Sequence, residues 1–152
     1  MKILGIDPGT GICGFGVIEK KHALDFGVIS TPKNTPLPDR LLDIFNSLNT
    51  IIDESKPDVV SIEKLFFTKN ITTGISVAEA RGVVILVCRQ HNLPIFEYTP
   101  NEIKKTIAGY GKADKKQMQE MVKLELGLTE VPRPDDAADA LAAALTHLYL
   151  SK

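Results

Sequence analysis

Apolar positions in this chain come in short runs as far as Ser30 and at helical spacing for much of the remainder. Ile3, Leu4 and Ile6 predict a strand over Lys2–Asp7, ended by the turn signal Pro8-Gly9-Thr10-Gly11. Strands over Cys13–Lys20 and Ala23–Ser30 follow, and the short link Lys21-His22 makes the three an antiparallel meander. Thr31–Pro38 is a polar, proline-rich connection. Leu41, Phe45, Leu48 and Ile52 then recur on one helix face through about Ser55, and Pro57 stops that helix. Asp58–Glu63 is a β-branched strand that ends, like the first, in an acid.

Lys64–Thr72 reads as a loop and Thr73–Gln90 as a helix of small and aliphatic residues. Leu93–Tyr98 is a fifth strand. Thr99-Pro100-Asn101-Glu102 is a capping box with proline at the first helical position, and Ala108–Lys112 breaks the helix it opens. Asp114 and Gln117 cap the next helix, which sets Lys115, Lys116 and Lys123 beside Met118, Met121, Val122 and Leu126. Beyond the linker Glu130–Pro134 lies an alanine-rich helix, Asp135–Leu150. The alternation predicts a single α/β domain over 1–152 with a mixed five-stranded sheet and helices on both faces, the later crossovers parallel and right-handed.

Composition adds three constraints. A chain of 152 residues buries roughly 70% of its unfolded surface and needs no disulfides. Cys13 and Cys88 lie inside apolar stretches, which suits a reducing compartment and argues against a zinc cluster. With no uninterrupted apolar run of about 18 residues and no signal-peptide pattern, a soluble intracellular protein without membrane contact is expected. The net charge of −1 conceals an uneven spread. Lys64–Lys123 holds ten Lys/Arg against five acids, and the rest holds eight against fourteen. The basic middle suits phosphate and the acidic ends suit a metal.

The candidate chemistry rests on separated acids. Asp7 and Glu63 each close a strand, and parallel neighbours put both at one sheet edge. Four glycines, Gly9, Gly11, Gly14 and Gly16, let a bulky anion or another chain come close to Asp7. Asp136 and Asp139 share a face of the last helix, and its alanines let that helix approach the sheet. Four facing carboxylates cannot all ionise without a cation. Oxygen ligands without His or Cys select Mg²⁺ or Mn²⁺, and two such ions suit in-line phosphodiester hydrolysis. Plainer readings exist for each part: Asp7 as a turn former, Glu63 as a solvated strand end, Asp135 and Asp136 as helix caps. Asp139, inside an alanine-rich helix, needs either water or a partner. Phe66 and Phe67, adjacent in a loop, either cap the core or serve as an exposed contact. Lys69 and Arg81 suit phosphate contacts or plain surface charge. Ala78, Ala80, Gly82 and Val83 mark the long helix as a two-fold contact.

Taken in order, GIDPGTGICGFGVI, SIEKLFFTKN, ARGV, PIFEYTPNEIKKTIAGYGKADKKQMQ and DDAADALAAALTH resemble the successive blocks of RuvC-type Holliday-junction resolvases, of the ribonuclease H-like superfamily. The resemblance implies a ribonuclease H-like fold and a homodimer that binds four-way junction DNA and makes paired symmetric nicks with Mg²⁺ or Mn²⁺. A bacterial, cytoplasmic, nucleoid-associated enzyme is implied, with a branch-migration helicase complex as a candidate partner. It assigns Asp7, Glu63, Asp136 and Asp139 as metal-binding catalytic acids, with Asp135 an extra neighbour. Lys104 and Lys115 align with basic positions near the scissile phosphate, although Lys105 competes with Lys104 for the inward direction. Phe66 aligns with a wedge at the junction centre. Lys112 and Lys116 join the DNA-binding candidates. GIDPGTG also resembles the phosphate loop of actin-like kinases and ATPases, which need two such domains where this chain has length for one. A ribonuclease H-like nuclease acting on structured RNA and a non-enzymatic junction binder also compete with the resolvase.

Overall fold

The computed structural model describes residues 1–64 and 71–151. Strands β1 (Lys2–Asp7), β2 (Ile12–Glu19) and β3 (His22–Ser30) form the expected meander. Helix α1 (Leu37–Ser55), β4 (Val59–Glu63), α2 (Ile71–Gln90), β5 (Ile95–Tyr98), α3 (Pro100–Ala108), α4 (Lys115–Glu125) and α5 (Asp135–Leu150) follow. The sheet order is β3-β2-β1-β4-β5. β1 runs antiparallel to β2 and parallel to β4, and β5 is parallel to β4. The mixed sheet is as the pattern predicts.

Alternation along β1 decides which helices each strand residue meets. Leu4 and Ile6 enter a core shared with Ile44, Leu48 and Ile52 of α1 and Ala80, Val84 and Val87 of α2. Ile3 enters the opposite core, with Ile103 and Ile107 of α3, Met118 and Val122 of α4, and Leu141 and Leu145 of α5. Helices therefore cover both faces. By the same period of two, Asp7 shares the α5 side with Ile3 and Gly5.

Local chemistry accounts for the helix limits. α1 begins four residues earlier than the apolar spacing indicates, because Pro38 falls in its first turn, where no backbone donor is needed. It ends at Lys56, which takes the left-handed conformation with φ 49°. Both capping boxes form: Thr99 with Glu102 opens α3, and Asp114 with Gln117 opens α4. Such caps contribute roughly 0.5–2 kcal/mol each.

One expectation needs correction at α2. By length and composition alone this helix is long and apolar enough to cross a membrane. It nevertheless carries Glu79 and Arg81, and packs Gly74, Ala80, Val84, Val87 and Cys88 inward. Ala80, expected at a two-fold surface, is fully buried in the core. The exposed apolar residues are Ile71, Ile75 and Leu86, with Gly82 open beside them.

Candidate active site

Two strand ends and one helix start build the site. Register pairs Ile6 with Ile62 across the parallel β1–β4 ladder, so Asp7 and Glu63 emerge side by side at one sheet edge. α5 then lies directly on β1 and β2. A Cβ at Gly5 would collide with the Ala140 carbonyl, and one at Gly14 with the Asp136 carbonyl, so only glycine lets the helix sit this low. Gly14 is also the register partner of Asp7. That seating brings one carboxylate oxygen from each of Asp7, Asp136 and Asp139 within 4.8 Å of the others.

The electrostatics are those of crowded acids. Burial raises the Asp7 carboxyl far above the usual range, and Glu63, Asp139 and Asp136 raise it further. Side-chain hydrogen bonding with Glu63 is among the causes of the rise at Asp7. Asp139 is pushed up to about 6, chiefly by burial; Lys115 pulls against this, while Glu63, Asp136 and Asp135 add to it. The donor set is all carboxylate, so it fits hard divalent cations such as Mg²⁺ or Mn²⁺. A cation would remove the need for bound protons. Cys13 is not among the groups that converge there, and burial raises its thiol to about 12.

A cleft of about 340 Å³ opens beside the acids, lined by Glu63, Asp139, Lys104, Lys115, Ile103 and Met118 among others. Lys104 faces it, whereas Lys105 runs alongside Gly111. Lys115 Nζ lies 3.4 Å from Asp135 Oδ2 and 3.9 Å from Asp139 Oδ2. Its ammonium is held charged, because Asp139 and Asp135 together outweigh the opposing effect of partial burial.

Asp135, an ambiguous neighbour in the sequence, turns aside. Its carboxylate accepts from Gln119 Nε2 at 3.0 Å and pairs with Lys115. Neither Asp135 nor Asp136 is the helix cap, a position held by Pro134; both lie in the first turn, where the helix dipole favours acids. Arg81 is ion-paired with Glu97 of β5. Lys112 and Lys116 are exposed outside the cleft, Lys116 lining a separate groove with Tyr110 and Met121. Phe66, Phe67 and Lys69 lie outside the described residues. The sequence pattern did not single out Gly5, although a glycine inside an apolar strand is itself a sign of close backbone approach. Nor did it single out Gln119, for which no local signal exists.

A parallel pair of strands ending in acids, closed by an acidic helix start, defines a ribonuclease H-like nuclease fold. Residues 3–147 match the family described as Crossover junction endodeoxyribonuclease RuvC. A crossover junction endodeoxyribonuclease RuvC from Chloroflexus aggregans is 51% identical over 153 residues, covering 98% of this chain and 93% of the relative. One from Desulfitobacterium hafniense (strain DSM 10664 / DCB-2) is 52% identical with the same coverage. The solved structure of T. thermophilus RuvC in complex with Holliday junction substrate superposes with a TM-score of 0.95 at 33% identity, over 99% of this chain and 94% of that one. The chain belongs to the crossover junction endodeoxyribonuclease RuvC family.

Proposed function

We propose that this protein is a structure-selective endonuclease that resolves four-way DNA junctions by paired symmetric nicks, in homologous recombination and repair. The observation that carries the reading is the convergence of Asp7, Asp136 and Asp139 within 4.8 Å beside Glu63. Asp7, Glu63, Asp136 and Asp139 would hold two Mg²⁺ ions, or Mn²⁺ in their place. When bound, these supply an activated water and charge neutralisation at the leaving 3′ oxygen.

The chain's own residues do the rest. The four carboxylates would hold the cations at the floor of the cleft, where the cations would offset the negative charge of the reacting phosphate. Lys104 and Lys115 neutralise charge as it builds on that phosphate, and Asp135 with Gln119 keeps Lys115 from swinging into solvent. Lys105, Lys112, Lys116, Lys69 and Arg81 serve the outer DNA backbone, Arg81 by exchanging its Glu97 partner for phosphate. Phe66, with Phe67 beside it, stacks on unpaired bases at the junction centre. A homodimer formed through the open face of α2 supplies two equivalent sites, as two symmetric nicks require. The enzyme works in the bacterial cytoplasm at the nucleoid, alongside a branch-migration helicase complex.

The test is a side-by-side digestion of a synthetic four-way junction, a linear duplex and a structured RNA in Mg²⁺. Paired nicks leaving 5′-phosphates and ligatable 3′-hydroxyls on the junction alone are expected. Equal cleavage of RNA, or ATP hydrolysis without nicking, would overturn the reading.

A further inference from the structure

We infer that Arg40, acting through Thr31, is a positioning residue for the turn that carries Asp7. Asp7 ends β1, and the segment from Pro8 to Gly11 belongs to no strand before β2 begins. That turn is gripped from the far end of β3. The Thr31 backbone N–H donates to the Gly11 carbonyl at 2.9 Å, and the Thr31 hydroxyl donates to the Thr10 carbonyl at 2.6 Å. The same hydroxyl accepts from Arg40 Nε of α1 at 2.9 Å. The guanidinium also lies beside the turn, close enough that a Cβ at Gly11 would come within 3.0 Å of Nη2.

The chemistry of this relay points to organisation rather than to surface charge. Arg40 is half-buried, and its Nε is given to a neutral hydroxyl, not to a carboxylate. Thr10 and Thr31 are both buried, and the Thr10 hydroxyl finds no hydrogen-bond partner among the described residues. Burying that group unpaired is unfavourable, so the turn is kept in place by its held carbonyls and not by its own side chain. A hydroxyl that already receives a hydrogen from arginine has its own hydrogen directed onto the Thr10 carbonyl, so the two bonds reinforce each other. The backbone leading out of Asp7 is thereby fixed before any ligand arrives.

The inference rests on the reading of the acid cluster as a divalent-cation site. It is tested by titrating Mn²⁺ into the full chain without DNA, followed by electron paramagnetic resonance, for the parent and for Arg40→Ala, Thr31→Val and Thr31→Ser. Supporting groups behind metal ligands typically set 10- to 100-fold in affinity, so Arg40→Ala and Thr31→Val should bind at least about tenfold more weakly, with Thr31→Ser close to the parent. Metal-free melting temperatures should fall by no more than a few degrees, the shift expected when one buried hydrogen bond is lost from a chain of this size. Junction affinity in EDTA should be unchanged. Parent-like Mn²⁺ affinity in Arg40→Ala and Thr31→Val would overturn the inference. So would weak binding by Thr31→Ser, affinity losses that track lost melting temperature, or an Arg40→Ala defect confined to junction binding. A parent that binds no Mn²⁺ would instead sink the cluster reading, and this inference with it.

Discussion

Gly14 lies directly under Asp136, with no room for even a methyl group between the strand and the helix backbone. Gly14→Ala should therefore lift the first turn of α5 away from Asp7. Overpacking of this kind costs roughly 1–3 kcal/mol, which in a chain of this size lowers the melting temperature by several degrees. Mn²⁺ binding should fall by more than the stability loss explains. Calorimetric melting and a metal titration on the same sample check both.

Asp7→Asn removes one acid from a crowded set. Cleavage of a synthetic junction in Mg²⁺ should drop by at least about a hundredfold, since metal-held transition-state charge is worth several kcal/mol. The metal-free variant should melt higher than the parent at pH 8, because repulsion among Asp7, Glu63, Asp139 and Asp136 is relieved. Unimpaired nicking would dismiss the assignment.

The raised carboxyls give the metal-free protein a characteristic pH response. Asp139 moves from an ordinary 3.8 to about 6, and Asp7 is raised further still. A group that binds its proton more tightly when folded destabilises the native state once ionised, so stability falls as pH rises above the unfolded value. In EDTA the melting temperature should decline from about pH 4 upward, with the contribution of Asp139 complete by a little above pH 6. Mg²⁺ should restore more stability at pH 8 than at pH 5, since protons and cation compete for the same oxygens. A flat melting profile in EDTA would contradict this.

Lys115 holds the Asp139 pKa down. Lys115→Met should raise it, moving the acid limb of the cleavage profile to higher pH as well as slowing the reaction. Asp135→Asn keeps the hydrogen-bonding shape but loosens Lys115, and should slow cleavage less, by no more than about fivefold, as expected for a weakened exposed ion pair. Single-turnover rates across pH 5 to pH 9 distinguish the two.

The outward face of α2 presents Ile75 and Leu86 on either side of Gly82. Leu86→Glu should yield a folded monomer by sedimentation, with unchanged far-ultraviolet circular dichroism, that nicks junctions singly instead of in pairs. A dimer that survives Leu86→Glu would locate the contact elsewhere.

Much of this architecture follows from local rules. The period of two in β1 and β4 and the helical spacing in α1 and α4 each specify their element. So do the two capping boxes, because the residues concerned interact within a few positions of one another. Strand-terminal acids on Asp7 and Glu63 were legible for the same reason, once both strands were expected to run in parallel. The outward face of α2 was not legible, since a helix that is apolar nearly all round carries no signal for which side the sheet covers. Lys104 and Lys105 are adjacent and chemically alike, so only the direction in which α3 docks could send one into the cleft and the other along Gly111.

The sequence by itself therefore determined the elements, the sheet type and which acids end a strand or share a helix face, all of which depend on neighbouring residues and their period. Tertiary structure alone decided that α5 lies low enough on Gly5 and Gly14 for Asp136 and Asp139 to meet Asp7. It also turned Asp135 away to restrain Lys115, and set Thr31 and Arg40 against the turn after Asp7. These relationships join residues far apart in the chain through packing with tolerances of a few tenths of an ångström, and no local pattern encodes them.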